Sequence, residues 1–177
     1  MSSDGYRIRK AVMGDEVELT ELSFASKRYW PYPDHYFSIW RPELTITGDY
    51  LERNAVYLVE DGDTIVGYYS LVLLENDQQL LGQTLGRGYW LDHMFVRPDA
   101  IGRGIGKELF FHLCEWCRSK EIGSIQMLAD PYARGFYEKM GCVYIREVPS
   151  TIEGRTTPLL IMDLPLPLNK QNGHYRP

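Results

Sequence analysis

Residues 96–108 read Val-Arg-Pro-Asp-Ala-Ile-Gly-Arg-Gly-Ile-Gly-Lys-Glu, and this stretch decides the fold. The residues before it, 89–96, form an apolar run rich in side chains that favour strands. After it, apolar residues recur at helical spacing; they are Ile105, Leu109, Leu113, Trp116 and Cys117. Gly102, Gly104 and Gly106 therefore lie on a turn from a strand into a helix. Because glycine tolerates positive φ and close backbone approach, successive N–H groups can converge at the positive end of the helix dipole. The stretch predicts a site for a phosphate or pyrophosphate.

The glycine spacing excludes two common phosphate-binding loops. A Walker A loop requires Gly-x-x-x-x-Gly-Lys-Ser/Thr, but Ile101 replaces its first glycine and Glu108 replaces the hydroxyl that binds magnesium. A dinucleotide-binding loop requires Gly-x-Gly-x-x-Gly, and its third glycine would fall on a lysine or a leucine in the two available registers. The alternative to any phosphate site is a glycine-rich turn without a ligand. Three glycines beside a helix start cost roughly 1 kcal/mol each, which weighs against that alternative.

The remaining pattern, Gly-x-Gly-x-Gly after a strand that ends in Val-x-Pro, resembles the coenzyme A pyrophosphate loop of the GNAT superfamily of acyl-CoA-dependent N-acyltransferases. The family pattern Arg/Gln-x-x-Gly-x-Gly/Ala falls on residues 101–106, with Ile101 in place of the usual Arg or Gln. The resemblance implies that backbone N–H groups hold the pyrophosphate, in a loop made of Gly102, Arg103, Gly104, Ile105, Gly106 and Lys107. It also implies that the pantetheine arm lies along the exposed strand backbone of Met94, Phe95 and Val96. The expected acyl donor is acetyl-CoA, and no metal is expected.

Residues 130–142 carry a second motif of the same family. Asp-Pro-Tyr-Ala-Arg-Gly-Phe-Tyr-Glu-Lys-Met-Gly-Cys resembles the GNAT segment Asn-x-x-Ala-x-x-Phe-Tyr-x-x-x-Gly-Phe, with Asp130 where the family usually has an asparagine that contacts the pantetheine. The residues by themselves predict a short helix, with Asp130 as its N-cap and Gly141 as its C-cap. The resemblance places Tyr137 beside the coenzyme sulfur, where a phenol can protonate the departing thiolate. A core tyrosine with its hydroxyl at the surface is the alternative.

An amine acceptor arrives as an ammonium ion and must lose a proton before it attacks the thioester, so the enzyme needs a proton acceptor. Asp92 and His93 are the candidates on the strand before the loop, and several GNAT members carry an acidic residue near the position of Asp92. Side chains alternate across a strand, so both residues reach one site only if a bulge intervenes. The two are equal candidates. The alternatives are an ion pair of Asp92 with an arginine and a role for His93 in the core.

Two further segments are candidates for the acceptor side. Residues 29–37, Tyr-Trp-Pro-Tyr-Pro-Asp-His-Tyr-Phe, precede the second predicted helix, in the region that walls the acceptor pocket in the family. These rings could cage a cation or pack in the core. Residues 148–159 form a long turn that lies near the acceptor side or a subunit interface in the family, which is compatible with a homodimer. In this turn Arg155 could receive a substrate carboxylate or be a solvated loop charge.

The order of predicted elements gives the fold class. The elements are a helix over 14–29, a broken helical region over 34–54, a hairpin of 55–59 and 65–74 about Asp61-Gly62-Asp63, a polar connection over 75–88, the strand that ends at Val96, a helix over 104–120, a strand over 124–128, the helix of Tyr137, and strands over 142–148 and 159–164. This order predicts an α/β fold with a single mixed, mostly antiparallel β-sheet flanked by helices. It follows the GNAT order of elements over residues 6–164.

Composition limits the remaining possibilities. A chain of 177 residues with 44% hydrophobic content and no linker-like stretch predicts a single domain over 1–164, with a flexible tail over 165–177. A net charge of −5 argues against a nucleic-acid partner. No apolar run reaches the ~18–20 residues that span a bilayer, and the first ten residues lack the apolar core of a signal peptide, so we expect a cytoplasmic protein with no membrane partner. Cys114 and Cys117 have the spacing of a redox motif, but their place within a helix favours core packing.

We therefore expect an N-acetyltransferase that transfers an acetyl group from acetyl-CoA to a primary amine of a small molecule or peptide, by direct attack in a ternary complex. The alternative from another class is a non-catalytic acyl-CoA-binding regulatory module that keeps the cofactor loop without acceptor chemistry. Tyr137 and the ionisable residues before the loop favour the enzyme. The sequence does not identify the acceptor.

Overall fold

The computed structural model describes residues 5–165. The strands are β1 (Tyr6–Lys10), β2 (Ala55–Asp61), β3 (Thr64–Leu74), β4 (Gln78–Leu80), β5 (Gln83–Leu85), β6 (Gly88–Val96), β7 (Ser124–Leu128), β8 (Val143–Pro149) and β9 (Thr156–Asp163). The α-helices are α1 (Glu16–Arg28), α2 (Asp34–Leu44), α3 (Gly48–Arg53), α4 (Ile105–Ser119) and α5 (Arg134–Lys139).

Seven of these strands form one mixed sheet in the order β1-β2-β3-β6-β7-β9-β8. Neighbouring strands are antiparallel at every joint except β6–β7, which is parallel. The predicted fold class is therefore confirmed. The parallel joint follows from the chain path, because α4 crosses over between β6 and β7 and returns the chain in the same direction.

Helices cover both faces of the sheet, and strand alternation explains how β3 serves both. Ile65 and Tyr68 pack with buried residues of α1 and α3, whereas Val66 and Tyr69 pack with those of α4. These side chains are 4% exposed or less. Successive side chains of a strand point to opposite faces, and Ile65 shares a face with Tyr68, three positions on, because Val66 is the extra residue of a bulge against β2. One strand thus anchors two helical layers, and β3 is buried over most of its length.

Most predicted elements are confirmed, with small shifts at their ends. The hairpin turns at Gly62, whose φ is +61°, and the broken helical region divides into α2 and α3, with Thr47 accepting the Tyr50 N–H at 3.2 Å as the N-cap of α3. Two features were not predicted. β1 is a short edge strand, and the polar connection over 75–88 contains a separate two-stranded sheet of β4 and β5. The predicted tail lies outside the described residues, except for residue 165.

The cysteines are core residues, as predicted. Cys114, Cys117 and Cys142 are free and buried, and burial raises the pKa of Cys117 and of Cys142 to about 12. A thiol with such a pKa is not an activated nucleophile. Between residues 5 and 165, no helix is long and apolar enough to cross a membrane.

Candidate active site

A cavity of about 540 Å³ lies where β6 and β7 separate. Its walls come from both strands, from α1 to α3, from α5, and from the loop before β9. Three groups of predicted residues line it: Met94 and Phe95 on β6, Asp92 and His93 on the same strand, and Asp130 with Tyr137 beyond β7. The fold therefore brings together residues that lie more than 40 positions apart in the sequence.

The two parallel strands are joined at one residue pair, Trp90 with Gln126. Beyond this pair, Met94, Phe95 and Val96 remain paired with β3 on one edge, but no pairing with β7 is formed on the other. Strand backbone at an unpaired edge presents N–H and C=O groups that a ligand can use as a strand partner does. The opening is thus suited to an extended amide-bearing chain such as pantetheine.

The glycine loop, like Val96, does not line the cavity itself. It lies at the start of α4, where Gly106 approaches Val96 at the end of β6. Gly102 and Gly104 have φ of +82° and +85°, and the space where a Cβ would stand is open at both. Five N–H groups, those of Gly102, Gly104, Ile105, Gly106 and Lys107, have no hydrogen-bond acceptor among the described residues. Donors of this kind at a helix N-terminus attract anions. The loop therefore fits the pyrophosphate that the sequence predicts.

The charged side chains of the loop point elsewhere. Arg103 donates to Asp61 at 2.6 Å and lies over the ring of Tyr6, and the Lys107 ammonium lies over the ring of Phe111. Because these two side chains have other contacts, the groups that can donate directly to an anion in the loop are its backbone N–H groups. This explains how the loop tolerates Ile101 where the family pattern has Arg or Gln.

Tyr137 lies on α5, 7% exposed, and lines the cavity. Its ring packs against Phe136 and Phe110, with centroids 5.2 and 6.1 Å away. Its hydroxyl makes no hydrogen bond within the described residues, and no fully buried polar side-chain atom there lacks a partner. The hydroxyl therefore opens to the cavity. Burial, with smaller effects of Cys142 and Asp130, raises the pKa of Tyr137 above its ordinary value, so the phenol stays protonated at neutral pH.

A β-bulge brings Asp92 and His93 to one point. Ser70 of β3 pairs with His93 and the next residue pairs with Leu91, so Asp92 is the extra residue on β6. The Tyr50 hydroxyl donates to the Asp92 carboxylate and lies 3.2 Å from His93 Nδ1. Ser70 Oγ lies 2.7 Å from the Tyr50 hydroxyl and 3.0 Å from the same ring nitrogen. The bulge that both side chains need in order to reach one site is therefore present.

The surroundings of the two residues differ. His93 Nε2 lies 2.8 Å from the backbone oxygen of Glu43, which can only accept, so this nitrogen carries the proton. With Nδ1 facing two hydroxyls and 8% of the residue exposed, His93 has its hydrogen bonds met by the protein. The Asp92 side chain is 43% exposed and faces the cavity. Asp92 is therefore the group of this pair that a molecule in the cavity can reach.

Asp130 occupies the N-cap that the sequence predicts, accepting from the Tyr132 N–H at 3.0 Å. Its carboxylate also accepts from Lys27 Nζ at 2.6 Å and from the Tyr32 hydroxyl at 2.8 Å. Burial opposes its ionisation, but Lys27 and the hydrogen-bond donors hold the pKa of Asp130 below its ordinary value. Arg155 adds a second cation, with Nη2 3.8 Å from the carboxylate. Asp130 is thus the centre of an ion-pair cluster at the cavity wall.

Of the aromatic segment 29–37, Phe37 packs in the core as one of the two predictions has it, beside Trp40 of α2. The other prediction, a cage for a substrate cation, stays a prediction. Tyr32 and Trp40 do face cations, but these are the protein's own: Lys27 Nζ lies 4.6 Å from the Trp40 centroid, and the Arg155 guanidinium lies 5.3 Å from that of Tyr32. The prediction of Arg155 as a solvated loop charge is wrong, because its side chain is 13% exposed.

Three residues of the site had no signal in the sequence. Lys27 and Tyr50 stand on helices without a motif, and Ser70 is an ordinary strand residue. Among residues 5–165, no group of three or more His, Cys, Asp or Glu side chains is placed to hold a metal ion.

The sheet opens between its two parallel strands, and a set of N–H groups unpaired within the described residues lies at the start of the helix that follows. This arrangement agrees with the resemblance to acyl-CoA-dependent N-acyltransferases that the sequence carries. A sequence model of the acetyltransferase (GNAT) family matches residues 17–142. The chain therefore belongs to the GNAT acetyltransferase family and is an acyl-CoA-dependent N-acetyltransferase.

Solved structures share this fold at low sequence identity. The PaiA N-acetyltransferase of Thermoplasma acidophilum in complex with coenzyme A is 16% identical with a TM-score of 0.71, over 89% of this chain and 98% of that one. A GNAT acetyltransferase of Staphylococcus aureus Mu50 is 20% identical with a TM-score of 0.65, over 90% and 99%. The ribosomal-protein-S18-alanine N-acetyltransferase of Escherichia coli is 15% identical with a TM-score of 0.62, over 94% and 99%. A search of curated proteins finds no match to this sequence.

Proposed function

We propose that this protein transfers the acetyl group of acetyl-CoA to a primary amine of a small molecule or peptide, by direct attack in a ternary complex. The observation that carries the proposal is that one cavity holds both the Tyr137 hydroxyl and the Asp92 carboxylate, at the unpaired edge of β6. Acetyl-CoA supplies the activated acyl group. The remaining chemistry, binding and proton transfer, falls to the residues of this chain.

Each predicted residue then has a role. The N–H groups of the loop from Gly102 to Lys107 bind the pyrophosphate, and the free edge of Met94 to Val96 holds the pantetheine. Asp130 borders the same opening. As the amine nitrogen bonds to the acyl carbon and the carbon–sulfur bond breaks, Tyr137 gives its proton to the sulfur. This order of roles needs both partners bound at once, because the amine attacks the thioester directly.

Asp92 takes the proton of the amine, directly or through water, and His93 and Tyr50 position it. The ionised carboxylate also attracts the incoming ammonium, which raises its local concentration. We assign His93 the positioning role because its two ring nitrogens already have partners in the protein.

The experiment measures release of coenzyme A thiol against a panel of amines, amino acids and peptides. Asp92→Asn should lower kcat/KM about 10²-fold and leave acetyl-CoA affinity unchanged. Asp63→Asn, at an exposed hairpin position, is the matched control. Binding of acetyl-CoA without turnover of any amine would favour the regulatory module instead.

A further inference from the structure

The cluster around Asp130 contains more basic than acidic side chains. Lys27, Arg155 and Asp130 have side chains 13–14% exposed, so the three charges lie in a region largely closed to water. Two basic side chains share this one buried carboxylate, and burial lowers the pKa of Lys27, an effect that Asp130 opposes. Buried charges are normally paired one to one, because water no longer screens them. An anionic ligand in the cavity could therefore pair with the second cation.

Arg155 is the less closely paired of the two cations, because its Nη2 lies 3.8 Å from the carboxylate and makes no hydrogen bond to it. The carboxylate of Asp130 already accepts from Lys27, Tyr32 and the Tyr132 N–H. The Arg155 side chain makes one hydrogen bond within the described residues, from Nη2 to the Tyr32 hydroxyl at 3.2 Å. No fully buried side-chain nitrogen there lacks a partner, so Nε and Nη1 keep some access to solvent, and Arg155 is one of the residues that line the cavity. A guanidinium presents N–H groups in a planar fork that matches a carboxylate.

The aromatic rings hold this fork in place. The Arg155 guanidinium lies 5.3 Å from the Tyr32 centroid and 5.2 Å from that of Trp40. Lys27 lies over the same two rings. The ring faces are thus used by the protein's own cations, and a cationic substrate group placed there would be repelled by both. An anion placed there would be attracted by both.

Two other carboxylates line the cavity, Asp92 at the bulge of β6 and Glu43, which is near enough to Lys27 to oppose the lowering of its pKa by burial. Asp92 is bound to Tyr50 and His93, and the exposed Glu43 accepts from Thr151 at 3.0 Å. These groups suit an ammonium, whereas Arg155 suits an anion. The cavity therefore has complementary places for the two ends of a zwitterion.

We infer that the acceptor carries a carboxylate near its amine, as an amino acid does, and that Arg155 binds this carboxylate with Lys27 adding attraction. The inference rests on the proposed function, since it names the substrate class of the same site. A phosphate monoester is also an anion that Arg155 could bind, and the experiment distinguishes it from a carboxylate.

The test compares matched acceptors with acetyl-CoA: L-amino acids against their carboxamides, and phosphoethanolamine against ethanolamine. We expect kcat/KM for acids to exceed that for amides by about tenfold or more, as for loss of hydrogen bonds to a charged group. Arg155→Gln should bring the ratio close to one by reducing activity on acids alone. Arg146→Gln removes a half-buried arginine that donates to Gln83 outside the cavity and should keep the wild-type ratio. If Arg155→Gln does not fold, Arg155→Lys should lower the ratio, because it keeps the charge and loses the fork.

Equal use of acids and amides, or an unchanged ratio in the folded Arg155→Gln protein, would overturn the inference and leave the proposed function intact. A preference for phosphoethanolamine over every amino acid would overturn the assignment to a carboxylate. If acetyl-CoA binds without turnover, the thermal stability of that complex is measured with the same pairs. Stabilisation by acids alone, lost in Arg155→Gln, supports the inference, and its absence contradicts it. Failure to bind acetyl-CoA would overturn the proposed function and the inference with it.

Discussion

Replacing Tyr137 by phenylalanine separates chemistry from binding, because the structure predicts that the change removes one hydroxyl and little else. The ring keeps its contacts with Phe110 and Phe136. The hydroxyl has no hydrogen-bond partner within residues 5–165, so its loss leaves no buried group unsatisfied. We expect the free energy of unfolding to change by less than about 0.5 kcal/mol. Acetyl-CoA affinity should change by less than about threefold, which is below 1 kcal/mol.

The effect on turnover should be much larger. A coenzyme A thiol has a pKa near that of cysteine, ~8.5, so thiolate departure at neutral pH gains from a proton donor. Loss of such a donor lowers the rate about 10²-fold, or about 2.7 kcal/mol in the barrier. The assay is thiol release at saturating acetyl-CoA under conditions where chemistry limits the rate. With an acyl donor whose thiol is more acidic, the loss should shrink, since a better leaving group needs less help.

Tyr57→Phe is the matched control. Tyr57 lies on β2 and packs against Tyr69 and His112, away from the cavity. This variant should keep wild-type turnover with both acyl donors. Unchanged turnover in Tyr137→Phe, or an equal loss in Tyr57→Phe, would refute the reasoning that assigns the proton to Tyr137.

Three further predictions test the loop, the ion-pair cluster and the core. Gly104→Val and Gly82→Val both place a branched side chain at positive φ, +85° and +76°, with open space around it; both should lower stability, and only Gly104→Val should lower acetyl-CoA affinity, by about tenfold or more in calorimetry. The pKa of Asp130 is lowered in the folded state, so its contribution to stability is complete above its unfolded pKa of about 3.9 and is lost as the pH falls through the folded value. Denaturant titrations between about pH 5 and pH 2 should therefore show a steeper loss for the wild type than for Asp130→Asn, and parallel curves would contradict the pairing. The three buried cysteines should react with a thiol reagent at neutral pH only after unfolding, since burial raises their pKa, in two cases to about 12; fast reaction of the native protein would show that the core assignment is wrong.

The parts of the site that depend on local chemistry were predictable from the sequence. Glycine at 102, 104 and 141 takes φ between +82° and +98°, which other residues rarely adopt. Glycine at these positions therefore predicts the backbone conformation without knowledge of the rest of the fold. Asp130 and the proline after it likewise define a helix start from their own side chains.

Long-range parts of the site were predictable only as conditions or not at all. The bulge at Asp92 depends on how β6 pairs with Ser70 of β3. Strand alternation shows that Asp92 and His93 need a bulge to reach one site, but it does not show whether the bulge forms. Lys27 reaches Asp130 across 103 residues, and Tyr50 reaches Asp92 across 42. Neither contact has a sequence pattern, because packing of α1 and α3 on the sheet brings the groups together.

The same limit explains the missed strands and the misjudged arginine. β1 has only two apolar residues among its five, Tyr6 and Ile8, and β4 and β5 have three residues each. So few apolar positions do not show the pattern that predicts a strand. Arg155 follows a turn rich in polar residues, which suggests exposure, yet Tyr32 and Trp40 cover it from α2 and the segment before it.

The most direct test of the whole account is calorimetric titration of the wild-type protein with acetyl-CoA, beside ATP and NAD at the same concentrations. The unpaired N–H groups at residues 102–107 and the open edge of β6 predict saturable binding of one acetyl-CoA per chain, with none for NAD or ATP. Absence of acetyl-CoA binding at millimolar concentration, or equal binding of ATP, would contradict it.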